Sequence, residues 1–231
     1  MKHRGALAVL TTCTLLVAGC GVNKSIHVAD GETVTGDKAT VNGGVHIGSD
    51  CTVRGGCRTV NGRVTVGAGS EVGALQSVNG SIKIAEKVGV DGDVGTVNGS
   101  IRLAGNVRVE GEVETVNGSI GCDAGATISN DITTVNGSIR LTRTEVGGNL
   151  GTVNGSLRLE DGSRVAGNIF IKGKSTRYRK KKAIEIEVSG GSVVEGDIIV
   201  RDPKRDVKVI LSGGGKVLGE IEGAEVVEHD S

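Results

Sequence analysis

Apolar residues in this chain come in i, i+2 pairs, and the pairs recur every six residues. After Thr96, Ile101 and Leu103 form one pair, Val107 and Val109 the next, and Val113 opens a third. One stretch earlier, Ile82 and Ile84, Val88 and Val90, and then Val94 fall at the same places. An i, i+2 pair is one face of a short strand, because successive strand side chains point to opposite sides. Glycine, asparagine and aspartate crowd the positions between pairs, where the chain must bend. Three short strands with a corner after each close one turn of a three-sided coil. The pattern predicts an all-β chain, a single-stranded parallel β-helix with its paired aliphatics stacked inside.

The coil length follows from a longer repeat. Thr-Val-Asn-Gly-Ser-Ile occurs at Thr96–Ile101, Thr115–Ile120 and Thr134–Ile139, with looser copies starting at Thr40, Thr59, Ser77 and Thr152. Its asparagines are Asn42, Asn61, Asn79, Asn98, Asn117, Asn136 and Asn154, spaced 19, 18, 19, 19, 19 and 18 residues apart. A fixed period of this size is one supersecondary unit stacked on itself. With the threonine as position 1, the apolar positions are 6 and 8, 12 and 14, and 18. Positions 18 and 2 are three apart, which leaves two arrangements: a bulge returns the position-2 valine to the core, or the threonine points in and the valine out. The Asn-Gly pair also carries two readings. It is the turn chemistry a corner needs, or the seven amides stack into a coil-to-coil hydrogen-bonded ladder.

Three segments follow in order. Residues 1–19 begin with the basic head Met1-Lys2-His3-Arg4 and continue through an apolar run that is short for a membrane span. The run ends in Val17-Ala18-Gly19-Cys20 and resembles a bacterial lipoprotein signal with its lipobox. The resemblance implies cleavage before Cys20 and lipidation of that thiol, hence a membrane anchor. Gly21 stands where an aspartate would favour inner-membrane retention, so an outer-membrane location is expected in a Gram-negative cell. Residues 20–25 are the anchor and a short linker. Residues 26–231 form one repeat domain of roughly 10 coils, roughly 50 Å long at about 4.8 Å per coil. The period breaks after Ile171, and a basic insertion, 172–182, follows. It holds Lys172, Lys174, Arg177, Arg179, Lys180, Lys181 and Lys182 and the only tyrosine, Tyr178. It is a solvated loop or a contact for anionic lipid or an envelope polymer.

Charge and composition narrow the chemistry. Lysine plus arginine and aspartate plus glutamate both number 27, so nothing draws the chain toward nucleic acid. Position 7 carries Lys83, Arg102, Arg140 and Arg158, a basic stripe read as a solvated face. His27, His46 and His229 are scattered along the chain without metal-ligand spacing, no nucleophile-elbow context is present, and no cofactor or metal site is expected. Cys51, Cys57 and Cys122 fall at inward positions, where packing is favoured over a Cys51–Cys57 bridge. Asn79, Asn98, Asn117, Asn136 and Asn154 match the N-glycosylation triplet as a by-product of the corner.

The segments Val90-Asp91-Gly92-Asp93-Val94, Val109-Glu110-Gly111-Glu112-Val113, Val194-Glu195-Gly196-Asp197-Ile198 and Val217-Leu218-Gly219-Glu220-Ile221 resemble those of bactofilins, polymer-forming bacterial β-helix proteins. The Thr-Val-Asn-Gly-Ser-Ile copies resemble a family of adhesin-type β-solenoids. The resemblance implies a right-handed helix, end-to-end self-association and no catalytic residues. The lipoprotein signal departs from the cytoplasmic habit of bactofilins. The expected function is a non-enzymatic, lipid-anchored rod, structural or adhesin-like, at the bacterial envelope. The alternative is a carbohydrate-binding or carbohydrate-active β-helix, against which the 1% aromatic content counts. A hexapeptide-repeat acyltransferase would keep a strict 18-residue coil and a catalytic histidine.

Overall fold

A computed structural model describes residues 22–173, 183–202 and 204–229. Within them the chain is all-β and winds through three parallel sheets of 11, 10 and 10 strands. Each sheet takes every third strand, so each coil gives one strand to each face. In the coil after Ser81 these are Ile82–Ile84 on the first face, Gly89–Val90 on the second and Val94–Thr96 on the third. Ile82 pairs with Val64 below and Ile101 above, which fixes the stacking register at one repeat. Across the 172–182 insertion the register is kept at a longer offset, with Ile169 opposite Ile198.

The interior is the set of columns the pairs define. Positions 6 and 8 build one wall through Ile101, Leu103, Ile120, Cys122, Ile139, Leu141, Leu157 and Leu159, all buried. Val109, Ile128, Val146 and Val165 build the second, and Val113, Ile132, Leu150 and Ile169 the third. Each coil buries its aliphatics only against its neighbours, so stability is a sum over coils and their interfaces.

The doubtful position resolves without a bulge. The threonine points in: Thr96 is fully buried, and Thr59, Thr115 and Thr134 nearly so. The valine after it is half-buried on the outside. A buried hydroxyl is normally paired, and the repeat supplies the partner except at Thr152, whose Oγ1 has none among the described residues. Thr96, Thr115 and Thr134 donate to the carbonyls of Gly80, Gly99 and Gly118 in the coil below, at 2.9, 2.9 and 3.1 Å.

The three cysteines of the described residues are free and buried. Burial pushes the Cys57 thiol up to about 11, with Asp37 adding and Lys38 opposing. Burial, with Asp123, pushes Cys122 up to about 12. The Cys51 thiol donates to the Ala29 carbonyl at 3.0 Å. These thiols are expected to resist iodoacetamide at pH 8 in the folded chain and to react once it unfolds. In the unfolded chain Cys57 and Cys122 ionise near their ordinary value of 9.0. Their contribution is therefore full below pH 9 and is lost as pH climbs toward 11–12. Thermal melts at pH 8 and pH 10.5 that coincide would contradict this.

Candidate functional site

The corner after the third face is where the repeat motif does its work. Asn61 Nδ2 donates to Asn42 Oδ1 at 2.8 Å, Asn79 to Asn61 at 2.8 Å and Asn98 to Asn79 at 2.9 Å. Asn117, Asn136 and Asn154 continue at 2.9, 2.8 and 2.8 Å. None of these asparagines has a positive φ; among non-glycine residues that conformation falls at the corner after the first face, at Asp50, Lys87, Asn106, Arg143 and Asp161. The Asn-Gly pair is therefore chosen for stacking rather than for left-handed turn geometry. The glycine has its own reason. A Cβ on Gly118 would overlap the carbonyl of Gly99, and Gly62, Gly80, Gly99, Gly137 and Gly155 repeat the situation. The backbones of successive coils pack directly on each other at this corner, and no side chain fits between them.

Both ends of the ladder lie beyond what the motif marks. At the N-terminal end Asn42 donates to Asn23 at 2.9 Å. Val22-Asn23-Lys24-Ser25 is Val-Asn-Gly-Ser with lysine in place of the glycine, so the signal is present but degenerate. At the other end Arg205, 9% exposed, donates through Nη2 to Asn154 Oδ1 at 2.7 Å and to the Val153 carbonyl at 2.9 Å. Its Nη1 has no hydrogen-bond partner among the described residues. Arg205 comes 51 residues after Asn154, and no local motif predicts the contact.

A second ladder stands at the corner before the third face. Asp93 accepts from the Glu112 amide at 2.9 Å, Asp131 from Asn149 at 2.7 Å, Asn149 from Asn168 at 2.9 Å and Asn168 from Asp197 at 2.7 Å. Here each side chain takes an orphan backbone N–H of the next coil.

The basic stripe is less uniform than its spacing suggests. Lys83 sits beside Arg102, but Gly121 separates Arg102 from Arg140. Arg158 then meets Glu187 at 2.6 Å and Arg140 meets Glu160 at 3.4 Å. His27 and His46, scattered in sequence, are register partners on this face, with rings stacked at 4.8 Å. Among the described residues no group of three or more His, Cys, Asp or Glu side chains is placed to hold a metal.

The outside of the third face is a two-column array. One column runs Gly95, Glu114, Thr133, Gly151, Phe170, Ile199; the other runs Val97, Val116, Val135, Val153, Lys172, Arg201. A shallow trough lies between Glu114 and Lys172, floored by Thr133 and Gly151 and walled by Val116, Val135 and Val153. At one end the carboxyls of Glu112 and Glu114 are held above the usual carboxylate range, first by burial and then by nearby Asp131 and Asp93 for Glu112, where Lys172 of the same chain opposes, and by Glu112 and Asp93 for Glu114. At the other end Lys172 Nζ and the Arg201 guanidinium both stand over the Phe170 ring, at 5.8 and 5.9 Å.

Of the residues singled out from sequence, the seven asparagines come together and Lys172 joins the third face. Cys20, Lys174, Arg177, Arg179, Lys180, Lys181 and Lys182 lie outside the described residues. The chain matches no protein-family model, no curated protein and no solved structure.

Proposed function

We propose that this chain is a non-enzymatic, lipid-anchored β-helical rod that acts as a structural, polymer-forming or adhesin-like interaction protein at the bacterial cell envelope. The observation that carries the reading is the regularity of the coil. Its inward columns are filled by aliphatics and small hydroxyl side chains, and its outward positions repeat as straight columns along the axis. Such an object offers a long periodic surface for contact with another surface. The lipobox at Val17–Cys20 supports placing one end of it at a membrane. The Asn23–Asn42 contact starts the stack only three residues after Cys20, so the rod would stand directly on the bilayer.

The bactofilin-like reading adds end-to-end polymerisation. Its support is that, among the described residues, the coil holding Leu218 and Val226 pairs on one side only and leaves those side chains 65% and 45% exposed.

The experiment is metabolic labelling of cells expressing the full chain with an alkyne fatty acid. The wild-type protein is expected to take the label and pellet with membranes. The Cys20→Ser chain is expected to lose the label and leave the membrane pellet. A wild-type protein that stays unlabelled and soluble would end the anchored-rod reading.

A further inference from the structure

We infer that the outer side of the third face is a self-complementary interface, on which a second copy of this chain packs side by side and antiparallel. The face is polar in the electrostatic sense along the rod. Its earlier half carries Asp93, Glu112, Glu114 and Asp131. Its later half carries Lys172 and Arg201, both drawn over Phe170, with Asp197 at the adjoining corner. The middle, Thr133, Val135, Gly151 and Val153, carries no charged residue of its own, and the Lys172 ammonium reaches back over Gly151.

A two-fold axis lying across the face midway between the Thr133 and Gly151 coils runs the second rod in the opposite direction. It sets each coil against the one equally far on the other side of the axis. Val135 then meets Val153, and Thr133 meets Gly151. Glu114 meets the coil of Phe170 and Lys172, and Gly95 meets Ile199. Each contact occurs twice. The matches are steric as well as electrostatic: the large Ile199 falls on a glycine, and the two cations over Phe170 fall on Glu114, with Glu112 beside it at the corner opposite Asn168. Asp93 opposite Asp197 is the one like-charge match. A parallel pairing at equal height would instead set the acidic half against the acidic half, which like-charge repulsion disfavours.

The size of the face sets the strength. Six coils and two columns cover roughly 30 Å by 10 Å, about 300 Å² on each copy, which is the scale of a weak, exchanging contact. The antiparallel pair overlaps over eight coils and puts the two N-terminal ends about 60 Å apart at opposite ends. It suits contact between two opposed surfaces better than clustering on one. This inference rests on the geometry of the third face and does not need end-to-end stacking or lipidation.

The test uses the full chain in detergent, mixed from ¹⁴N- and ¹⁵N-labelled copies and treated with a zero-length carbodiimide. Glu112 or Glu114 is expected to be joined to Lys172 in mixed-isotope peptides, which only an intermolecular link can give. Glu114→Lys and Lys172→Glu, each alone, are expected to lower the cross-linked dimer at least fivefold. Because every contact is reciprocal, the double variant E114K/K172E is expected to restore it. Unchanged circular dichroism in the single variants keeps the loss from being a folding defect. Mixed-isotope links confined to the rod ends, no mixed-isotope link at all, or a double variant that stays monomeric would overturn the inference.

Discussion

Gly118→Ala is expected to cost about 3 kcal/mol or more, although it adds a single methyl to a surface corner. The methyl would overlap the Gly99 carbonyl carbon and oxygen, and that backbone is held in place by the parallel ladders on either side. Neither a rotamer change nor a side-chain shift relieves it, so the two coils must part. Parting them also lengthens the Thr115–Gly99 and Asn117–Asn98 contacts across the same corner. Because coils couple only to neighbours, the rod is expected to melt in two stages about that break. Gly121→Ala is the control. Nothing lies within 4 Å of a Cβ there, so the change is expected to be neutral or slightly stabilising, by about 0.5 kcal/mol. Asn98→Ala falls between. It removes two ladder bonds, but the orphaned amides of Asn79 and Asn117 are exposed to water, so about 1 kcal/mol is expected. Chemical denaturation of the three variants gives the order directly. Equal losses in Gly118→Ala and Gly121→Ala would refute the backbone-contact account.

Leu141→Ala is expected to cost about 3–4 kcal/mol. Leu141 is fully buried, with Cys122 below it and Leu159 above in the same column. Large-to-small changes cost most where the walls cannot collapse into the space. Here each wall is pinned by a hydrogen-bonded ladder running the length of the rod, and the neighbour below is already small. Native-state hydrogen exchange should speed up at Ile139–Thr142 and the coils on either side before it does so elsewhere. A loss below 1 kcal/mol would mean the coil relaxes sideways and the interior is less rigid than its ladders imply.

What could be read from the sequence was what repeats in steps of two and nineteen. Ile101 with Leu103 and Val107 with Val109 announce strands and corners without help from tertiary structure, and the asparagine spacing gives the coil. The orientation of Thr96 and Val97 was not legible. Either can fill an inward position by size, and the choice rests on a hydrogen bond to Gly80 in another coil. The ladder's caps were hidden for different reasons. Asn23 sits in a copy with lysine for glycine, whereas Arg205 reaches Asn154 across an insertion. The polarity of the third face was invisible for the same reason: Glu114, Phe170 and Lys172 become one surface only when the register is known. Likewise the basic stripe looked continuous until Gly121 and Glu187 took their places in its column.

The proposed function requires a rod held by one end on a membrane. The measurement that tests it most directly is electron cryo-tomography of liposomes carrying the full, cell-processed protein. The account predicts vesicles decorated with thin rods about 50 Å long that stand off the bilayer from one end. Bare vesicles with the protein left in solution, or compact particles with no long axis, would contradict it.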